Sequence, residues 1–253
     1  MNASLTLTPH ERAAAPAPSW TLTSFEPARA ALEYAAMRLM DKSRLPRGDG
    51  HPVVLFPGLA SDQRAIGPLK DFCRQLGYDA RDWGRGFNAG PKGDPDRWLD
   101  DLADDVLTHA PAEGDRISLV GWSLGGIYAR EVAKRLGARA RQVITIGTPF
   151  AGSTAQTRAG LVYRLLNGRE ATLDTTLQRR LRTAPPVPTT SIYSRSDGVV
   201  AWQACIQDGA RGQFENIEVP GSHCGLGWNA DVYRVLADRL QQAPGRWQPY
   251  AAP

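Results

Sequence analysis

The chain has 253 residues, of which 42% are hydrophobic and 22% are charged. This length and composition exclude a disulfide-held mini-protein and fit one long α/β domain with a substantial core. The 30 basic and 26 acidic residues give a net charge of +4. Apart from the pair Arg179-Arg180, the arginines are scattered singly rather than in the basic stripe of a nucleic-acid-binding protein. No apolar run approaches the ~18 residues of a membrane helix.

The three cysteines, Cys73, Cys205 and Cys224, cannot all pair, and none has the spacing of a metal site. We therefore expect free thiols, no metal and no cofactor. Residues 1–20 lack the basic and apolar segments of a secretory signal and are predicted to form a loose arm. These features predict a cytoplasmic protein without an integral membrane segment, and they carry no signal of its oligomeric state.

Hydrophobic periodicity predicts one N-terminal helix and then alternating strands and helices. The first helix runs from Glu26 to about Asp41. We expect its apolar stripe to dock on the core, with a lid or membrane face as the alternative. This stripe consists of Leu32, Ala35, Ala36, Leu39 and Met40. The predicted strands are 52–56, 78–83, 116–120, 142–146, 189–193 and 214–219. The predicted helices after the first are 62–76, 96–109, 124–136, 159–166, 174–182 and 229–241. The alternation predicts an α/β fold with a mostly parallel sheet, helices on both faces, and function at the carboxyl ends of the strands.

The third of these strands runs directly into the sequence Gly121-Trp122-Ser123-Leu124-Gly125, and a helix follows. A G-x-S-x-G sequence between a strand and a helix is typical of a sharp turn that exposes a nucleophilic serine. The glycines allow close approach of the neighbouring backbone, and the helix N-terminus favours developing negative charge. Ser123 is therefore the candidate nucleophile.

A serine hydroxyl needs a base to take its proton, and the chain offers four histidines. His10 lies in the loose arm, His51 precedes the first strand, and His109 ends a surface helix. His223 alone follows a predicted strand at its carboxyl end, in a glycine-containing loop. Elimination therefore favours His223 as the base.

The imidazole of such a base is held by a carboxylate that should also follow a strand end. Asp197 follows the predicted strand 189–193 directly. Its rivals lie off the strand ends, in the last helix or in the irregular segment; they are Glu170, Asp174, Asp208, Glu215, Asp231 and Asp238. Asp197 is therefore the candidate acid, although an Asp-Gly pair is also a common structural turn.

A tetrahedral oxyanion requires preorganised N–H donors. One candidate is the backbone N–H of Leu124, directly after the serine. The other is the backbone N–H of Leu59 in the loop after the first strand, because Pro57 has no N–H and Gly58 allows the loop to approach a substrate.

These residues together resemble the α/β-hydrolase superfamily, and within it the bacterial lipase/esterase-like branch. The resemblance covers about residues 51–240. Its specific motifs are 56–59 (FPGL), 121–126 (GWSLGG), 147–150 (GTPF), 196–200 (SDGVV) and 222–223 (SH). It implies six or more strands, a triad of Ser123, Asp197 and His223, and a cap inserted before the acid-bearing strand. The chain departs from the family pattern in two ways. Many lipases have His-Gly where this chain has Pro57-Gly58, in the loop after the first strand. The first two strands of the family pattern are also not evident, so we expect a sheet shortened at one edge.

The resemblance implies three regions and a set of possible reactions. Residues 1–50 form an arm and helix, residues 51–150 and 189–243 the hydrolase core, and residues 151–188 a small helical cap. The first hypothesis is hydrolysis of a small-molecule or lipid ester through an acyl-serine, by an esterase or lipase. The same triad would serve a thioesterase, acyltransferase, polyester depolymerase or amidase, and a non-catalytic binding protein on this scaffold is a further alternative. Haloalkane dehalogenases and epoxide hydrolases of the same fold use a carboxylate nucleophile, so Ser123 argues against them.

Overall fold

The computed structural model describes residues 15–108, 116–152, 156, 175–209 and 213–251. Its strands are β1 (Pro52–Phe56), β2 (Asp79–Asp82), β3 (Ile117–Trp122), β4 (Ala140–Ile146), β5 (Thr189–Tyr193) and β6 (Phe214–Glu218). Its α-helices are α1 (Trp20–Ser24), α2 (Glu26–Leu39), α3 (Gly67–Leu76), α4 (Pro95–Leu107), α5 (Leu124–Leu136), α6 (Thr175–Arg182) and α7 (Ala230–Gln241).

The six strands form one parallel sheet in the order β2-β1-β3-β4-β5-β6. All residues of β1, β3, β4 and β5 are buried, as expected for central strands of a parallel sheet covered on both faces. The predicted parallel α/β sheet is therefore confirmed. β3 extends two residues past the predicted end because Gly121 and Trp122 keep pairing with Thr145 and Ile146 of β4.

Helices cover the sheet from both sides. Val53 and Leu55 of β1 join an apolar cluster with side chains of α3 and α7, whereas Val54 and Phe56 join a second cluster with side chains of α4 and α5. Each fully buried side chain of this kind stabilises the fold by about 1.5–3 kcal/mol. The two clusters fix the sheet beneath the loops that leave the carboxyl ends of the strands.

The helix predicted over residues 62–76 begins at Gly67, five residues later than expected. The preceding residues form a turn, in which the side chain of Asp62 accepts a hydrogen bond from the N–H of Arg64 at 2.8 Å. The N–H of Ala65 donates to the carbonyl oxygen of Asp62 at 3.1 Å. An aspartate that bonds its own backbone two residues on favours a turn over a helix.

The prediction for the face of α2 was wrong. Leu32 is 72% exposed and Leu39 is 86% exposed, and Ala35 and Ala36 are exposed too, so most of the apolar stripe points away from the protein. Of its five residues, Met40 packs against the core. The residues of α2 that are buried are Glu26, Ala30 and Met37. Periodicity identified a helix with two faces, but the face that docks is the one that carries charged side chains.

The cap predicted for residues 151–188 lies largely outside the described residues, including the helix predicted over 159–166. Its described part includes α6, which is anchored to α5 by the buried guanidinium of Arg130. Nη2 of Arg130 donates to the carbonyl oxygens of Leu181 and Thr183 at 3.2 and 3.1 Å. Within the described ranges, no helix has the length and apolar character required to cross a bilayer.

Candidate active site

Ser123 lies in a strained turn between β3 and α5. Its backbone has φ 54° and ψ −124°, a conformation that residues with a side chain rarely adopt. Its N–H donates to the carbonyl oxygen of Ile146 at 2.8 Å. A Cβ at Gly125 would overlap the backbone of Phe56, so a side chain there would push the turn away from β1. The turn predicted from the sequence is therefore present, and its glycine is required by close packing.

The three candidate side chains come together at the carboxyl end of the sheet. Ser123 follows β3, Asp197 follows β5 and His223 follows β6. Nε2 of His223 lies 3.0 Å from Oγ of Ser123, and Nδ1 lies 2.7 Å from Oδ2 of Asp197. All three residues are buried. With the proton on Nδ1, the imidazole donates to the carboxylate and accepts from the hydroxyl, which is the arrangement that activates a serine.

The other carboxylate oxygen of Asp197 is held by its own loop. Oδ1 accepts hydrogen bonds from the N–H groups of Val199 and Val200 at 2.8 and 2.7 Å. The sequence Asp-Gly therefore does form a structural turn, as the alternative reading allowed. The same turn leaves Oδ2 directed at His223. Asp197 therefore both forms the structural turn and contacts the histidine.

The pKa of His223 is raised above its ordinary value. Burial alone would lower the pKa of this imidazole, but the carboxylates of Asp197 and Glu26 favour the charged form and outweigh burial. The environment therefore stabilises an imidazolium at this position. This stabilisation favours the transfer of a proton from a hydroxyl group to the imidazole.

The loop after β1 lies against the serine. A Cβ at Gly58 would be 3.3 Å from Cβ of Ser123, and Ala60 has a positive φ of 58°. Within the described part of the chain, the backbone N–H groups of Leu59 and Leu124 donate no hydrogen bond to another residue. Both groups are therefore candidates to bind an oxygen beside Ser123.

Asn88, which the sequence analysis did not single out, braces this loop. Its residue is fully buried, and its Nδ2 donates to the carbonyl oxygen of Pro57 at 2.9 Å. Its backbone carbonyl accepts from the N–H of Ala60 and its N–H donates to the carbonyl of Ser61, each at 2.8 Å. An asparagine in a loop with many glycines is typical of a turn, so no separate feature of the sequence marks Asn88.

The helix α2 crosses the loops that carry Asp197 and His223. Nη1 of Arg29 donates to the carbonyl oxygen of Ser196 at 2.7 Å. Oε1 of Glu33 accepts from the N–H of Ser222 at 2.7 Å, and Nε1 of Trp228 donates to the carbonyl oxygen of Ala30 at 2.9 Å. Backbone groups of the two loops thus bind the charged side chains of Arg29 and Glu33, while Oε2 of Glu33 is buried with no hydrogen-bond partner among the described residues.

A second Asp–His–Ser row exists at the opposite end of the sheet. Nδ1 of His51 lies 2.5 Å from Oδ1 of Asp49, and Nε2 lies 2.7 Å from Oγ of Ser118. Ser118 is fully buried inside β3, where no substrate reaches it. This row links the amino ends of the strands, beside a cavity of about 390 Å³ that is lined by residues including Arg116, Arg141, Pro186 and Trp247. The exclusion of His51 as the base agrees with its position.

The three cysteines are free thiols. Burial, together with the neighbouring carboxylate of Glu26, raises the pKa of Cys224 to about 12, and burial raises the pKa of Cys73 to about 12. These thiols are therefore protonated at neutral pH and are poor nucleophiles. The described residues contain no group of three or more metal-ligating side chains. His10 and His109 lie outside the described residues.

The resemblance of the sequence motifs to the α/β-hydrolase superfamily is supported by a match to a family model. The model of the alpha/beta hydrolase family matches residues 53–252, most of the chain. The chain belongs to the alpha/beta hydrolase family. A comparison of this alpha/beta hydrolase with curated protein sequences gives no significant match.

Solved structures share the fold of this alpha/beta hydrolase at low identity. The Bacillus licheniformis lipase BlEst2 is 18% identical with a TM-score of 0.55, and the match covers 80% of this chain and 96% of that one. The ferulic-acid-bound Est1E of Butyrivibrio proteoclasticus is 14% identical with a TM-score of 0.52, covering 78% and 91%. The thioesterase domain from the curacin biosynthetic pathway is 16% identical with a TM-score of 0.51, covering 78% and 93%. At these identities the similarity establishes the fold alone.

Proposed function

We propose that this alpha/beta hydrolase is a serine hydrolase that cleaves carboxylic esters through an acyl-serine intermediate. The observation that carries the proposal is the 3.0 Å separation between Nε2 of His223 and Oγ of Ser123. The 2.7 Å contact of the same imidazole with Asp197 supports it. The lipase and the ferulate-bound protein among the structural relatives are consistent with an ester substrate.

The first half of the reaction forms the acyl-enzyme. Oγ of Ser123 attacks the ester carbonyl carbon while Nε2 of His223 takes the hydroxyl proton. The carbonyl oxygen becomes an oxyanion, which the N–H groups of Leu59 and Leu124 stabilise. The carbon–oxygen bond to the alcohol then breaks, and the alcohol leaves with the proton from Nε2.

The second half releases the acid. A water molecule attacks the acyl carbon and gives a proton to Nε2 of His223, and a second oxyanion forms in the same N–H pair. The bond to Oγ breaks, and Ser123 recovers its proton from the imidazolium. Asp197 keeps the imidazole oriented and stabilises its charged form in both halves.

We also propose that the segment 151–188 forms the cap over the substrate. Support for this comes from its place in the chain between β4 and β5, and from the anchoring of α6 on α5, the helix that begins directly after Ser123. From the sequence, the apolar side chains of this segment either line an acyl pocket or form the packing face of the cap, and they lie outside the described residues. They are Leu161, Val162, Tyr163, Leu165 and Leu166.

The test of the reaction is Ser123→Ala assayed with p-nitrophenyl esters from acetyl to palmitoyl. We expect a folded protein that retains less than about one thousandth of the activity. A fluorophosphonate probe should label the wild type and not the variant. The matched control is Ser43→Ala, which removes an exposed hydroxyl bonded to Asp41. Wild-type turnover in Ser123→Ala would exclude the proposed nucleophile.

The same triad is compatible with thioesters, amides, polyesters and transfer to an acceptor other than water. Steady-state rates on matched oxoester, thioester and amide substrates separate the first classes. Product analysis with a competing alcohol or amine separates hydrolysis from acyl transfer. Ester hydrolysis is the proposed principal reaction, and a faster rate on a thioester or preferred transfer to the added acceptor would replace it.

A further inference from the structure

Glu26 is a buried carboxylate at the start of α2, outside the segment that the family model matches. Its residue is 3% exposed. Oε1 accepts hydrogen bonds from the N–H of Gly198 at 2.8 Å and from the N–H of His223 at 2.9 Å. Oε2 accepts from the N–H of Cys224 at 2.8 Å. One carboxylate therefore joins two loops that are separated along the chain.

The contacts of Glu26 compensate the cost of burying its charge. A buried carboxylate is costly unless hydrogen bonds and opposite charge compensate it. Three backbone N–H groups compensate Glu26, and Nη1 of Arg29 lies 3.8 Å from Oε1. A Cβ at Gly198 would lie 2.6 Å from the carbonyl oxygen of Leu22 and 2.8 Å from Oε1 of Glu26. Glycine at this position is what lets α1 and α2 approach the loop so closely.

The two loops are those that carry the proposed acid and base. Gly198 directly follows Asp197, and the second N–H bound by Glu26 belongs to His223 itself. We propose that Glu26 is a positioning residue that holds these two loops together, so that the imidazole of His223 stays aligned between Asp197 and Ser123. This inference rests on the proposed serine hydrolase function, and it assigns a role in catalysis to the N-terminal helix.

The hydrogen bonds of Glu26 in the described structure reach His223 and its neighbours and not Ser123, so we infer that it acts through His223. Its negative charge also lies beside the imidazole and helps to raise the pKa of His223. The other groups around this imidazole are Asp197 from the loop after β5, the protonated thiol of Cys224, and Arg29 and Glu33 from α2, which bind the neighbouring residues Ser196 and Ser222. Asp197 and Glu26 both act in the direction of a higher pKa.

The test compares the full-length wild type with Glu26→Gln. The amide keeps the size of the side chain but removes the charge, and its NH₂ cannot accept a hydrogen bond. We expect kcat on a p-nitrophenyl ester to fall about 10- to 100-fold with little change in KM, because misplaced catalytic groups cost rate rather than binding. We also expect the pKa of His223, measured by NMR titration of the imidazole, to fall.

The matched control is Glu131→Gln, which changes another fully buried helical carboxylate. Glu131 pairs with Lys134, Arg135 and Arg180 on the other side of the sheet. We expect this variant to lose stability but to keep the kcat of the folded fraction and the pKa of His223. Both variants remove one buried charge. A difference between them in kcat or in the pKa of His223 therefore reflects the location of Glu26 beside the catalytic loops and not a general loss of stability.

Glu26→Asp keeps the experiment decisive if the amide variant does not fold. The shorter carboxylate keeps the charge but withdraws it from the two loops, so we expect kcat to fall while the pKa of His223 stays closer to that of the wild type. Wild-type kcat and an unchanged pKa in Glu26→Gln, or wild-type kcat in Glu26→Asp, would overturn the positioning role. A wild type that neither cleaves esters nor reacts with a fluorophosphonate would instead contradict the proposed function.

Discussion

The side-chain amide of Asn88 donates to the carbonyl oxygen of Pro57 at 2.9 Å, and this contact ties the loop after β1 to the loop after β2. The N–H of Leu59 lies two residues further along the first loop. Rigid placement of that N–H matters because an oxyanion is stabilised only by donors that are already oriented. Asn88 is thus part of the support of the proposed oxyanion hole.

We predict that Asn88→Asp lowers kcat about 10-fold, less than the roughly 10²- to 10³-fold cost of removing an oxyanion donor itself. The substitution sets a carboxylate oxygen against the carbonyl oxygen of Pro57. Steady-state kinetics, corrected for the folded fraction by circular dichroism, measure the effect. Asn216→Asp is the matched control, because its Nδ2 also donates to a backbone carbonyl, that of Gln207 at 2.8 Å, on the edge strand β6. Equal kcat values for the two folded variants would remove Asn88 from the support of the site.

The raised pKa of His223 predicts the pH dependence of the proposed reaction. The base must be neutral to take the proton of Ser123, so kcat/KM should rise with pH through an apparent pKa above about 6.5, the ordinary value for histidine. Asp197→Asn should lower that pKa and reduce kcat about 10⁴-fold. A pH series of kcat/KM for an ester measures both.

The control for this profile is His51→Gln. His51 has a pKa below its ordinary value, because burial and the charge of Arg141 outweigh the favourable hydrogen bond to Asp49. It lies at the opposite end of the sheet, so the substitution should leave the profile of the folded enzyme unchanged. A profile that moved with His51 and not with Asp197 would show that the wrong histidine was assigned.

The orientation of α2 predicts opposite results for two apolar residues two positions apart. Met37 is 3% exposed and belongs to the core cluster with α3 and α7, whereas Leu39 is 86% exposed. We expect Met37→Ala to lower the free energy of unfolding by about 2–5 kcal/mol and Leu39→Ala to change it by no more than about 0.5 kcal/mol. Chemical denaturation of both variants measures the difference. The reverse order would mean that the apolar stripe is the docked face, as periodicity alone suggested.

The parts of the candidate site that were predictable from sequence have local signals. Ser123 lies in a strand–turn–helix pattern, and the glycines of this pattern allow the turn to pack closely against the neighbouring backbone. His223 could be reached by elimination because only four histidines occur. Asp197 followed from the rule that parallel strands present their ends at one edge of the sheet. The deciding features are a motif, a residue count and a position after a strand, and all three can be read from the sequence.

The supporting residues were missed because their partners are distant. Glu26 contacts groups 172 to 198 positions away, and those groups are backbone N–H donors, which every non-proline residue has. No composition or spacing distinguishes such a partner. The apolar stripe of α2 was misassigned for the same reason, since periodicity tells which residues share a face but not what that face meets.

The contacts of Glu26, Arg29 and Glu33 bear on how much of the chain counts as the hydrolase. The family model begins at Val53, after all three of these residues. A fragment cut at that boundary would contain Ser123 and the residues proposed to act with it, yet the backbone donors of two of its loops would face water in place of carboxylates. On the proposed role of Glu26, the functional unit of this protein begins upstream of the recognisable domain, and boundaries drawn from family membership alone would divide it.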